Sequence, residues 1–305
     1  MSEDRRIGAA DADGFVEAAG TKVHYEVHGT AGPTLLLMPT WTIVHQRFWK
    51  LQLPYLARHH RVVTYDGPGN GLSDRPVEPA AYDQDRQVER ALAVLDVTGT
   101  ETAVVVALSR AAQWALDLAA NHAERIAGTV LIGPSLRLGT SPRPERVRRP
   151  DPVELPPSRV PHLGTDPLEH WAKMDPGYWR RSYDDFLWFF FGQCFPEPHS
   201  TKPIEDCVAW GRETNAEVLV AEAGGRVPSA ETLRKWCARI TTPLLTIHGD
   251  HDRISSVRRS ELIAELTGGR LVAIEGGGHL PLARDPVKVN HLIRDFVRSA
   301  AGAGG

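Results

Sequence analysis

The stretch Val104-Val105-Val106-Ala107-Leu108-Ser109-Arg110-Ala111-Ala112-Gln113-Trp114 (VVVALSRAAQW) changes character at its middle. Before Ser109 the residues are β-branched and apolar, with no polar face, which suits a strand buried on both sides. After it they are mostly small and compatible with a helix. Ser109 therefore marks a strand-to-helix corner. A serine there is commonly no more than a helix cap. It has a second use where strand and helix form a tight elbow, because the hydroxyl then stands exposed above the end of a sheet. Such elbows carry glycine two places before and two places after the serine, and here Ala107 and Ala111 stand instead. Alanine is the next smallest choice. It makes the turn harder to build without excluding it.

Outward from this corner the same pattern repeats. Residues 34–38 (TLLLM), 61–65 (RVVTY), 128–132, 243–248 (PLLTIH) and 270–274 read as further short strands, as do 103–108 within the opening stretch. Helical stretches are expected near 48–56 and over 82–97, 110–121 and 286–299. Residues 15–29 read as two strands around Gly20-Thr21, with Val23, Tyr25 and Val27 alternating with polar residues. Short apolar strands separated by helices imply an α/β fold, a mostly parallel sheet covered by helices on both faces. Between two of the sheet strands the chain departs from this pattern. Prolines and arginines crowd residues 136–159, and 171–195 hold ten aromatic residues, from Trp171 through Trp188 to Phe195. The expected organisation is a core of residues 13–136 and 237–305, a helical cap inserted over 137–236, and a flexible tail over 1–12.

The composition narrows the classes of function. The chain has 305 residues, 42% of them hydrophobic and 24% charged, the mix of an ordinary globular enzyme. A formal net charge of -3 gives no pull towards nucleic acid or an anionic membrane. No apolar run approaches the ~18 residues of a spanning helix, and the polar start MSEDRRIGAADADG reads as neither signal peptide nor anchor. Cys194, Cys207 and Cys237 lack metal-ligand or redox spacing and read as reduced, mostly buried thiols, which suits a cytoplasmic protein.

In a parallel sheet the loops at the carboxyl ends of the strands gather on one edge, and ligands bind there. Four informative segments fall at such ends: Pro39-Thr40-Trp41, Ser109, the segment His248-Gly249-Asp250-His251-Asp252, and Gly276-Gly277-Gly278-His279-Leu280-Pro281. Serine is a poor nucleophile at neutral pH. It needs a base to take its proton, and the base needs a carboxylate to fix its tautomer and hold its developing charge. Ser109, Asp252 and His279 supply these types. Asp252 is preferred to Asp250 because it lies further out towards the facing loop, while Asp250 suits shaping the turn. Asp66 reads as structural, tying the loop DGPGNGLSDRP that follows it. The glycines of that loop do not form a phosphate cradle, since no Gly-Lys-Ser/Thr follows.

The loop DGPGNGLSDRP, the elbow ALSRA, the segment HGDHD and the segment GGGHLP together resemble the α/β-hydrolase superfamily over residues 15–299, and within it lid-bearing bacterial esterases. The resemblance implies a serine hydrolase acting on a carboxylic ester, lactone or thioester of a small, partly apolar substrate. Ser109, Asp252 and His279 would be catalytic, with no metal or organic cofactor. The N–H groups of Trp41 and Arg110 would form the oxyanion hole, since Pro39 has no N–H to offer. Pro39-Thr40 departs from a common His-Gly of the family, and Arg110 adds a fixed charge beside the serine. Arg110 is expected to contact an anionic or strongly polar group of the substrate, a cap-facing salt bridge being its alternative. Thr40, Trp114 and Trp188 are the other candidate substrate contacts, and His45, His162 and His170 are within the residues that could reach the pocket. Arg137, Arg143, Arg146, Arg148, Arg149 and Arg159 read as solvated surface. The expected partner is a small molecule, with neither nucleic acid nor membrane, and a homodimer is left open. Two other functions fit the same residues: a non-hydrolytic cyclase, lyase or carbon–carbon bond-cleaving enzyme, and a ligand-binding protein on a hydrolase scaffold.

Overall fold

The short apolar runs pair into one sheet. A computed structural model describes residues 10–138 and 171–302. Eight strands lie in the order β1-β2-β4-β3-β5-β6-β7-β8, comprising β1 (Ala12–Ala18), β2 (Thr21–His28), β3 (Thr34–Leu37), β4 (Arg61–Tyr65), β5 (Ala103–Leu108), β6 (Ile126–Ile132), β7 (Leu244–Gly249) and β8 (Arg270–Ile274). The β1–β2 hairpin pairs antiparallel, as does β2 with β4, and the other neighbours run parallel.

The alternation along β5 sorts its side chains into two layers, because successive residues of a strand face opposite ways. Val104, Val106 and Leu108 join the apolar cluster that also holds Val289, Ile293 and Phe296 of the last helix and the aromatic residues of the insertion. Val105 and Ala107 join the other, with Val88, Val94, Trp114 and Leu118 from the helices Gln84–Val97 and Ala112–Asn121. All six residues of β5 are buried. The central strand thus holds Ser109 over a packed base.

Between β6 and β7 the described chain forms the helices Pro176–Arg181, Tyr183–Cys194, Thr201–Gly211 and Ala216–Gly224, then Ala230–Arg239. The first is capped by Asp175, whose carboxylate accepts the Gly177 N–H at 2.8 Å, and the fourth by Asn215, which accepts the Val218 N–H at 3.1 Å. The last of them spans the expected boundary. Leu233 and Cys237 of Ala230–Arg239 are buried in the cluster shared with the helix Ala112–Asn121. The expected boundary between residues 236 and 237 falls inside this helix, which packs on the helix Ala112–Asn121. One correction concerns residues 48–56. A tight turn, Gln46–Trp49, is followed by a separate short helix, Leu53–Leu56. Pro54 has no N–H to continue a helix from before it and instead opens the second turn.

Cys194, Cys207 and Cys237 are free and buried. Among the described residues no helix is long and apolar enough to cross a membrane. His162, His170 and the arginines at 143, 146, 148, 149 and 159 lie outside the described residues.

Candidate active site

Ser109 follows the last residue of β5 and has a φ of +53°. The left-handed region costs a residue with a Cβ about 1–2 kcal/mol. It is held there from both sides: its carbonyl accepts the Ser135 N–H at 3.0 Å, and a helical turn, Ser109–Ala111, leads straight into the helix behind it. Ala107 and Ala111 are fully buried beneath the turn. The elbow forms with their two methyl groups inside it.

His279 reaches Ser109 from the loop after β8. Its N–H donates to the Cys194 carbonyl at 3.0 Å, and the preceding Gly278 N–H donates to Glu197 Oε1 at 2.7 Å. Both partners belong to the segment between β6 and β7. Gly278 passes so close to it that a Cβ would stand 2.2 Å from Pro196 Cδ. Below, Gly133 gives room for the ring, since a Cβ there would lie 3.3 Å from His279 Nδ1.

These loops bring three expected residues together. The Ser109 hydroxyl lies 2.8 Å from His279 Nε2, positioned to donate to it. On the far side of the ring, Nδ1 donates to Asp252 Oδ2 at 2.7 Å. The Asp252 carboxylate is buried and saturated: Oδ1 accepts the N–H groups of Ile254 at 2.7 Å and Ser255 at 2.9 Å. Burial alone would raise its pKa, but His279 and His248 outweigh it and hold the carboxyl well below the usual carboxylate range. Asp250 instead accepts the Gly276 N–H at 2.7 Å, joining its own turn to the histidine loop. Asp66 accepts the N–H groups of Gln46 and Leu72, both at 3.0 Å, and so ties its glycine-rich loop.

Two further residues enter the site. His248, at the end of β7 and fully buried, brings Nε2 to 3.1 Å from Asp252 Oδ2, while its Nδ1 lies 2.7 Å from Ser260 Oγ. It belongs to the HGDHD segment, four residues before Asp252. Glu222, on the helix Ala216–Gly224, is also fully buried. Its Oε2 accepts the Thr42 N–H at 3.0 Å and the Thr42 hydroxyl at 2.6 Å. Burial raises its pKa, against the opposing pull of Arg110 and Thr42. A lone glutamate in an inserted helix has no motif by which to be found.

The remaining candidates are placed as follows. No described residue accepts a hydrogen bond from the Trp41 N–H. The Arg110 N–H stands in the first turn of a helix, where no preceding helical carbonyl can take it. The Arg110 guanidinium turns to the helix Ala216–Gly224. Its Nε lies 3.1 Å from Glu222 Oε1 as an ion pair, out of line for a hydrogen bond, and Nη2 donates to the Glu222 carbonyl at 3.2 Å. The cap-facing salt bridge is therefore present. Thr40 is not free to meet a substrate, because it is buried and its hydroxyl donates to the Leu108 carbonyl at 2.8 Å. Trp114 is also corrected: it is 2% exposed and packs in the cluster below the sheet. Trp188 is partly buried and packs against the same apolar cluster as Trp41. The Trp41 ring meets Trp179, Phe186 and Phe190, with centroids 5.7, 6.0 and 5.0 Å away. Phe186 and Phe190 share a helix face at a spacing of four, and Trp188 falls on the other side. His45 is buried, with Nε2 3.5 Å from Glu213 Oε1. A cleft of about 220 Å³ opens beside the elbow, lined by Arg110, Gln113, Ser135, Arg137, Gly225 and Arg259 among others.

Residues 27–292 match the alpha/beta hydrolase family. The chain belongs to this family. Among curated alpha/beta hydrolase relatives, a 2-hydroxymuconate semialdehyde hydrolase of Pseudomonas sp. strain CF600 is 34% identical over 117 residues, 38% of this chain and 41% of that protein. The matched part thus spans about two fifths of the length of such relatives. Solved structures cover nearly the whole chain. An enol-lactonase from Burkholderia xenovorans LB400 superposes with a TM-score of 0.73 at 20% identity, over 93% of this chain and 100% of that one. An esterase from Exiguobacterium antarcticum does so with a TM-score of 0.76 at 19% identity, over 93% and 98%. At these identities the likeness shows a shared alpha/beta hydrolase fold.

Proposed function

We propose that this protein is a serine hydrolase that cleaves a carboxylic ester or a related acyl bond, a lactone or thioester, of a small and partly apolar substrate. The observation that carries the reading is the contact chain from the Ser109 hydroxyl to His279 Nε2, 2.8 Å, and from His279 Nδ1 to Asp252, 2.7 Å, with the serine at a φ of +53°. Ser109 Oγ attacks the carbonyl carbon as His279 Nε2 takes its proton. The N–H groups of Trp41 and Arg110 stabilise the oxyanion. Removing one such donor typically costs about 2.7–4 kcal/mol of transition-state stabilisation. As the tetrahedral adduct collapses, the leaving alcohol or thiol departs with the proton from His279. Water, deprotonated by the same nitrogen, then releases the acid and restores Ser109. Asp252, ionised throughout, holds the imidazolium between the two transfers. The aromatic contacts around Trp41 support an apolar acyl side. The arginine-bearing cleft supports a polar or acidic group at the other end, so acidic esters and lactones come first in a screen.

The test is labelling with a fluorophosphonate, followed by peptide mass mapping, on the wild type and on His279→Ala. The expected result is a label on Ser109 in the wild type and a loss of at least about a thousandfold in labelling rate in the variant. A folded wild type with no label on Ser109 would remove the reading.

A further inference from the structure

The two oxyanion donors sit on separate segments, the loop after β3 and the elbow after β5. Their spacing must be kept to a few tenths of an ångström for both N–H groups to meet one oxygen. Neighbours hold each segment, but one carboxylate touches both. Glu222 Oε2 holds the N–H and hydroxyl of Thr42, the residue next to Trp41, at 3.0 and 2.6 Å. Glu222 Oε1 faces the Arg110 guanidinium at 3.1 Å, and its backbone carbonyl accepts from Arg110 Nη2 at 3.2 Å. A surface strut would not need this. A carboxylate with 1% of its side chain exposed is costly to bury, and it is retained only with its partners in place.

We propose that Glu222 is a positioning residue that sets the gap between the Trp41 and Arg110 N–H groups, so that the docked cap completes the oxyanion hole. The proposal rests on the acyl-enzyme reading above. In it, the helix Ala216–Gly224 serves the chemistry as well as covering it. Glu222 never touches the substrate. It acts through Thr42 on one side and through the side chain of Arg110 on the other.

The test compares the wild type with Glu222→Gln, Glu222→Ala and Thr42→Val, using p-nitrophenyl acetate for turnover and peptide-level hydrogen exchange for position. Glu222→Gln keeps an acceptor for Thr42 but sets an amide against the Arg110 guanidinium. The expected result is a fall in kcat of about 10- to 100-fold, with KM changed less than about threefold, since the oxyanion forms only in the transition state. Glu222→Ala should lose more than Glu222→Gln. Hydrogen exchange should quicken in the peptides covering 40–44 and 108–112 and remain at the wild-type rate around His279. Thr42→Val removes only the hydroxyl contact, and should lower kcat in the same direction if the larger changes prevent folding. A folded Glu222→Ala with wild-type kcat, or a rise in KM alone, would overturn the proposal. If Ser109→Ala turns over the ester as fast as the wild type, the acyl-enzyme reading fails by itself. Exchange then decides for Glu222: quickening confined to the two segments supports its positioning role, and none overturns it.

Discussion

Ser109 holds a backbone conformation that its own side chain disfavours, at a φ of +53°. The surrounding packing therefore works against local preference, as is common where a side chain must be presented for use. This has a measurable consequence. Ser109→Gly and Ser109→Ala both remove the hydroxyl, but only glycine accepts the left-handed region freely. In urea unfolding, Ser109→Gly should be more stable than Ser109→Ala by about 1 kcal/mol, with neither taking a fluorophosphonate label. Equal stabilities would mean that the elbow relaxes when the serine is lost. Ser109, Asp252 and His279 could be picked from the sequence because their residue types are needed together and each follows an apolar strand. His248 and Glu222 could not be picked so readily. Their contacts depend on burial and on packing across the fold, which spacing alone does not announce. For Thr40 and Trp114 the converse holds: a place beside a strand end or an elbow does not say which way a side chain turns, and both are buried.

The elements that carry the candidate site are strand ends tied to the segment between β6 and β7. The histidine loop is the clearest case, since consecutive N–H groups of Gly278 and His279 bond to the cap segment at 2.7 and 3.0 Å. Gly278→Ala should place a methyl group on Pro196 and push the loop off its seat. The expected cost is about 1–3 kcal/mol in stability and, through displacement of His279, a loss of about a hundredfold in kcat. Adding Pro196→Ala should recover part of both, and steady-state kinetics on the single and double variants would show it. A loss without any recovery would assign the effect to the Cys194 carbonyl, 2.7 Å from the same methyl position. At this scale the strands were legible almost residue by residue, because an apolar run of four to seven residues has few other uses in a chain this polar. The helices near the site were less so. Pro54 split one, and the helix Ala230–Arg239 could be given to the core only once Leu233 and Cys237 were seen to pack there.

Across the whole molecule, two buried carboxylates bias stability in opposite directions with pH. The folded pKa of Asp252 is depressed. Its contribution is therefore present above the ordinary carboxylate value of about 4, and is lost as pH falls through the lower folded value. The folded pKa of Glu222 is raised. Its contribution is fully present below its ordinary value of about 4.3, and is lost as pH rises through the higher folded value. Melting curves should separate them. The deficit of Asp252→Asn relative to the wild type should shrink as the solution is taken below about pH 4. The wild type should lose ground to Glu222→Gln as pH rises from about 4.3. Parallel curves for either variant would show that the corresponding carboxyl titrates alike in the folded and unfolded chains.

The three free thiols divide between the two layers of this architecture. Cys194 and Cys207 lie in the aromatic cluster shared with the cap, and Cys237 lies under the sheet with the core helices. Burial raises all three pKa values, that of Cys237 to about 11, so each is a protonated, inaccessible sulfur while its layer is closed. A small alkylating reagent can reach them only during an opening. The chain therefore carries its own pair of clocks: the order in which these sulfurs are trapped tells whether the helices between β6 and β7 open alone or only when the whole protein comes apart.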